Sequence, residues 1–173
     1  EEFKALLAEF EKFRLPKLIK RENVLPPHDL VAIIGPRRAG KTYFLFQQIS
    51  EIGKENCLFM NFERSALAGV SAKDFGDMLL AYKELYGKEP KYVMLDEIQV
   101  VENWQLGVRE LHDKRKYKLV ITGSSSKLLA KEIATQLRGR VVNVLLLPFS
   151  FREFLKARKV KIDKFSILSL IHI

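Results

Sequence analysis

A chain of 173 residues, 47% of them hydrophobic, has the composition of an ordinary globular protein and can bury one sizeable α/β core. Its one cysteine excludes an internal disulfide framework, and no apolar run approaches the length of a membrane span. The net charge of +9 fits a phosphate site, an acidic or nucleic-acid partner, or simply a solvated basic surface.

In chain order, Phe3, Leu6, Leu7, Phe10 and Phe13 recur at helical spacing and predict an amphipathic helix over 2–14, ended by Pro16. Leu15 to Pro27 reads as a linker, so residues 1–27 are expected to form an N-terminal helix and linker ahead of a main domain over 28–165. The chain opens on Glu1 rather than methionine, so the natural start is expected to lie upstream. Leu30-Val31-Ala32-Ile33-Ile34 is an apolar, β-branched run that predicts a buried strand.

Directly after it comes GPRRAGKT, Gly35 to Thr42, which fits the phosphate-cradling pattern G-x-x-x-x-G-K-[ST]. Gly35 and Gly40 allow tight turns that aim successive N–H groups at one centre. Pro36 stiffens the loop. Arg37 and Arg38 add positive charge near a triphosphate or face solvent. Ala39 completes the loop. Lys41 supplies a flexible point charge for the β- and γ-phosphates, and Thr42 offers a hydroxyl to Mg²⁺. Tyr43, the next residue, joins this nucleotide-binding set. It opens a predicted helix with Phe44, Leu45 and Ile49 inward, whose N-terminus favours anions.

Gly53 breaks that helix, and Asn56 to Phe62 predicts a second strand with Cys57 as a small core residue. Asp74 is expected to cap a helix bearing Phe75, Met78, Leu79, Tyr82, Leu85 and Tyr86 inward, stopped by Gly87 and Pro90. Tyr92 to Glu97 is an apolar strand ending in two acids. Buried parallel strands deliver functional groups at their carboxyl ends. Asp96 is expected to reach the same Mg²⁺ as Thr42, and Glu97 to orient and polarise the attacking water. Two solvated acids at a strand end are the plainer reading, which loses weight because the pair follows a phosphate loop at a spacing that fits one sheet. No Asn-Lys-x-Asp guanine reader occurs, so ATP is expected over GTP.

Asn103 is expected to cap a helix with Trp104, Val108 and Leu111 on one face, Trp104 as core. Lys118 to Gly123 predicts a strand, followed by Ser124-Ser125-Ser126 and a helix from Lys127 to Leu137. Val141 to Leu147 is apolar except for Asn143 and predicts a strand in the middle of the sheet. Ser150 and Glu153 form a capping box for a last helix bearing Phe151, Phe154 and Leu155. Strands alternating with helices imply an α/β fold, a parallel sheet of about five strands with helices on both faces. His28 and His112 lack metal-ligand spacing. The basic stretches Arg109–Lys118 and 152–164 read first as a solvated surface and second as a nucleic-acid face, since no recognition-helix signature accompanies them.

GPRRAGKT, LDEIQ (Leu95 to Gln99), TGSSS (Thr122 to Ser126), LRGR (Leu137 to Arg140) and PFSFREFL (Pro148 to Leu155) together resemble the archaeal-type AAA ATPases. The resemblance implies a P-loop NTPase domain normally followed by a family-specific C-terminal domain, which is expected to be missing from residues 1–173. It implies that a polar residue after the third strand senses the γ-phosphate, Ser124 first and Thr122 second. It also implies that Gln99 helps to read the nucleotide state, and that Arg140, then Arg138, reaches a phosphate in cis or across a subunit contact. The segment before the first strand is expected to line the adenine pocket.

The last six residues, LSLIHI, read as one frame of a transposase adapter, so 166–173 are expected to be a non-native tail. The expected function is ATP binding with Mg²⁺-dependent hydrolysis in the cytoplasm, with self-association and no membrane role. A nucleotide-gated switch of negligible turnover and a nucleic-acid-associated motor component are the alternatives.

Overall fold

The computed structural model describes residues 1–123, 137 and 139–159. The apolar runs pair into one five-stranded sheet: β1 Leu30–Ile34, β2 Cys57–Asn61, β3 Tyr92–Asp96, β4 Lys118–Gly123 and β5 Val142–Leu145. The order is β2-β3-β4-β1-β5 and every neighbouring pair is parallel. The helices are α1 Glu2–Lys12, α2 Lys41–Ile52, α3 Phe75–Tyr86, α4 Trp104–Asp113 and α5 Phe151–Ala157. Ser124 to Ser126, the helix expected from Lys127, Arg138 and the tail over 166–173 lie outside the described residues.

The strand period of two sorts the sheet into two cores. Leu30, Ala32, Leu58, Met60, Val93, Leu95, Leu119 and Ile121 face α3 and α4, meeting Met78, Tyr82, Trp104, Val108 and Leu111. Val31, Ile33, Phe59, Met94 and Val120 face the opposite way, meeting Phe44, Leu45 and Ile49 of α2. Burying each such side chain contributes roughly 1.5–3 kcal/mol. Both faces are therefore covered, as a parallel sheet requires.

α1 is part of this packing. Leu6 and Leu7 join the first core and Phe10 the second, its ring 4.8 Å from Phe59. The helix contacts β2 and α3, which covers the β2 edge of the sheet. Lys54 Nζ donates to the carbonyls of Phe10, Glu11 and Phe13, satisfying the carbonyl-rich, electronegative end of α1.

Three local expectations are corrected. β5 is an edge strand beside β1, with Asn143 and Leu145 exposed. Its apolar outward residue hid the alternation. Asp74 does not cap α3 with its side chain. Its carboxylate accepts the N–H and hydroxyl of Ser71, closing a capping box one turn earlier. Asn103 makes no side-chain cap either: it sits at φ 54° and starts α4 through its backbone. The capping box of Ser150 and Glu153 forms as read.

Candidate functional site

β1 lies between β4 and β5, and the chain leaves it toward β2 on one side and returns to β5 on the other. Such a switch point opens a crevice beyond the carboxyl ends of the strands. Gly35 occupies it. A Cβ there would lie 2.1 Å from the carbonyl oxygen of Leu146, whose N–H donates to Ile34 O at 2.8 Å. Only glycine lets the chain after β5 pass that close. Ala39 N–H turns back to Pro36 O at 3.3 Å, and Arg38 and Gly40 adopt positive φ, 64° and 88°. The turn delivers Lys41 as the first residue of α2, and the first turn of α2 carries no acid to compete for an anion.

Lys41 is only 4% exposed. Its Nζ donates to Gly35 O at 3.3 Å and Pro36 O at 3.1 Å, and lies 3.7 Å from Glu97 Oε1. Thr42 Oγ1 donates to Asp96 Oδ2 at 2.8 Å. The Asp96 carboxylate, fully buried, also accepts Asn61 Nδ2 at 2.9 Å and Thr122 Oγ1 at 2.5 Å. Burial pushes its carboxyl above the ordinary range, while the hydroxyls of Thr122 and Thr42 pull it back toward the charged form.

Glu97 leaves the strand at φ 54°, ψ 46°, a conformation that costs a non-glycine residue energy and is held by its surroundings. Its N–H donates to Thr122 Oγ1 at 3.0 Å, and its Oε2 accepts Gln99 Nε2 at 2.7 Å. The structure thus brings Lys41, Thr42, Asp96, Glu97, Gln99 and Thr122 together. The hydroxyl of Thr42 and the carboxylate of Asp96 form an oxygen donor set that suits a hard divalent ion such as Mg²⁺.

Other residues stand farther out. Pro36, Arg37 and Arg38 are exposed, and Arg37 lies 3.7 Å from Glu63 across a solvated pair. Tyr43 is 56% exposed and, with Arg38, Ala39 and Gly40, borders a cavity of about 780 Å³. Leu18, Ile19, Phe149, Phe151 and Phe154 make its apolar wall. A larger cavity of about 1080 Å³, on the far side of the linker, touches no residue of the phosphate loop. Arg140 is not brought to the loop. It pairs with Asp113 at 3.6 Å, two residues before β5 begins beside Val31, at the opposite end of the sheet from Gly35. Much of the Arg109–Lys118 charge is neutralised by Asp113, Glu110 and Glu89. Ser124 and Arg138 fall outside the described residues.

Two residues of the site escaped the sequence reading. Asn61 ends β2 directly opposite Asp96, and a polar residue closing an apolar strand was the available signal. Arg21 carries the Ala39 carbonyl at 2.8 Å, and nothing in the linker marks it out from its neighbouring lysines.

Among curated proteins, the uncharacterized protein MJ1544 of Methanocaldococcus jannaschii is 41% identical over 161 residues, covering 92% of this chain and 36% of its own length. An uncharacterized protein of Haemophilus influenzae is 40% identical over 156 residues, covering 83% of this chain and 39% of its own. The chain thus spans well under half the length of these relatives. Among solved structures, AMPPCP-bound DnaA from Aquifex aeolicus aligns with a TM-score of 0.45 and 16% identity, over 83% of this chain and 49% of that one. PCH-2 of C. elegans aligns with a TM-score of 0.44 and 18% identity, over 94% and 47%. The family described as AAA domain matches residues 27–155, which spans the whole sheet and the phosphate loop, and the chain belongs to this family of AAA-type P-loop ATPases.

Proposed function

We propose that this domain binds ATP with Mg²⁺ and hydrolyses it. The observation that carries the reading is the convergence of Lys41, Thr42, Asp96 and Glu97, two of them paired at 2.8 Å and two facing at 3.7 Å. The loop amides and the Lys41 ammonium hold the phosphates. Thr42 and Asp96 supply oxygen ligands for Mg²⁺, which when bound neutralises phosphate charge. Glu97 takes a proton from the attacking water as its oxygen bonds to the γ-phosphorus and the bond to the β–γ bridging oxygen breaks. Gln99 fixes the Glu97 carboxylate through Oε2, leaving Oε1 toward Lys41. The apolar cavity beside Tyr43 and Gly40 has the size and wall chemistry for the base.

Glu97→Gln tests this reading: ATP affinity is expected to hold and turnover to fall on the order of 10²–10⁴-fold. Joint loss of both would make Glu97 a ligand or a structural residue. A nucleotide-gated switch with little turnover is the second reading, favoured by the hydrogen bond that Gln99 makes to Glu97. Single-turnover hydrolysis by the unmodified chain separates the two.

A further inference from the structure

Arg21 lies in the linker between α1 and β1 and is 7% exposed. Its guanidinium meets three parts of the fold at once. Nη1 donates to Ala39 O at 2.8 Å, Nη2 to Leu147 O at 2.6 Å, and Nε to Glu153 Oε1 at 2.9 Å. Phe149 lies beneath the cation, 5.0 Å from its ring centre. The Arg21 backbone N–H donates to Gln47 Oε1 of α2 at 2.9 Å. A Cβ on Gly40 would lie 3.3 Å from Nη1, so the guanidinium rests against the residue that precedes Lys41. Glu153, 3% exposed, also accepts the N–H groups of Glu22 and Ser150.

We propose that Arg21 is a positioning residue for the phosphate loop, and that through Glu153 it couples the Ala39–Gly40 turn to α5. The functional consequence rests on the nucleotide reading above; the coupling itself does not. The planar fork matters. Three acceptors in three directions are met by N–H groups on separate nitrogens, which a lysine ammonium on one atom does not reproduce. A buried charge persists only where it is paired and hydrogen-bonded, and Glu153 supplies the pair. Lys41 holds the first half of the loop through Gly35 O and Pro36 O, whereas Arg21 holds the second half through Ala39 O. The conformation of Gly40, φ 88°, aims the start of α2, so a shift of α5 reaches the residues before Lys41 through the Glu153–Arg21 pair. Coupling of this kind is reciprocal: a ligand that fixes the loop must also fix α5.

The test is hydrogen exchange resolved to short segments, with Mg-ATP titration alongside, on Arg21→Lys. We expect a single cooperative melt, faster exchange confined to 39–41 and to α5, unchanged exchange in α4, and Mg-ATP affinity weakened about tenfold. In the unmodified chain, saturating Mg-ATP should slow exchange in both the loop and α5. Unchanged loop exchange in the variant, or a uniform rise that includes α4, would overturn the proposal. If the unmodified chain bound no Mg-ATP, the nucleotide reading would fail, yet loop exchange in the variant would still decide the positioning role. Should Arg21→Lys not fold, Glu153→Gln replaces it. Faster exchange must then appear at 39–41, which makes no hydrogen bond to Glu153 among the described residues, and its absence would sink the coupling.

Discussion

Lys41 Nζ and Glu97 Oε1 face each other at 3.7 Å, with side chains only 4% and 10% exposed. Two opposite charges at that separation and burial attract strongly. The cation that is to meet phosphate and the carboxylate that is to meet water therefore share one small volume. That geometry ties the binding half of the site to its reacting half.

Lys41→Ala removes a charge-assisted phosphate contact and the ammonium that faces Glu97 Oε1 at 3.7 Å. Mg-ATP binding is expected to weaken by about 1.5–3 kcal/mol, one to two decades in affinity. Calorimetric titration measures this directly, and an unchanged affinity would mean that the loop does not hold phosphate.

Gly35→Ala tests the close approach of β1 and the chain after β5. The added methyl would sit 2.1 Å from the Leu146 carbonyl oxygen, a backbone atom that cannot swing aside. Destabilisation of about 1–3 kcal/mol or more is expected. Gly76→Ala, in α3 with nothing within 4 Å, should instead stabilise by about 0.8–1 kcal/mol. Urea melts of the two variants should therefore move in opposite directions.

What the sequence disclosed follows the range of the interactions. β1 to β4 are buried on both faces, so their apolar runs announce themselves locally. β5 is equally apolar to the eye, yet Leu145 is 55% exposed, and nothing local distinguishes an edge position from a central one. The phosphate loop and the acid pair were legible because each is a contiguous motif. Asn61 meets Asp96 across 35 residues and Arg21 meets Glu153 across 132. Such pairs are brought together only by the strand order, which no short window encodes.

Cys57 should be inert in the folded protein. It is 2% exposed, and burial, then the nearby Glu55 charge, pushes its thiol up to about 12. The thiolate is the reactive species, so alkylation at mildly alkaline pH should be far slower than for a free thiol until the chain is unfolded in denaturant. Rapid labelling of the native protein would contradict the packing of β2.

Arg140→Ala should leave Mg-ATP affinity unchanged. The side chain pairs with Asp113, both partners more than a third exposed, and such a surface pair contributes about 0–1 kcal/mol. Its place at the far end of the sheet leaves action on a neighbouring copy as its route to a phosphate. Mixing Arg140→Ala with Lys41→Ala protein reads this out: recovered turnover requires an arginine donated between copies.

The contact between Arg21 and Glu153 carries a pH signature of definite sign. Burial alone would raise the Glu153 carboxyl, but the N–H groups of Glu22 and Ser150 and the Arg21 guanidinium outweigh it and hold it below its ordinary value of 4.5. A carboxyl lowered on folding contributes stability that is fully present above its unfolded value and is lost as pH falls through the folded one. The stability difference between the unmodified chain and Glu153→Gln should therefore be constant from neutral pH down to about pH 5, then shrink with further acidification. Urea denaturation of both proteins across that range measures it, with Glu89→Gln as a control for a lowered carboxyl on the surface, held mainly by the Tyr117 hydroxyl. A difference that stayed constant into strong acid would mean that the Glu153 charge does not contribute to holding Arg21, and that shape alone seats the guanidinium.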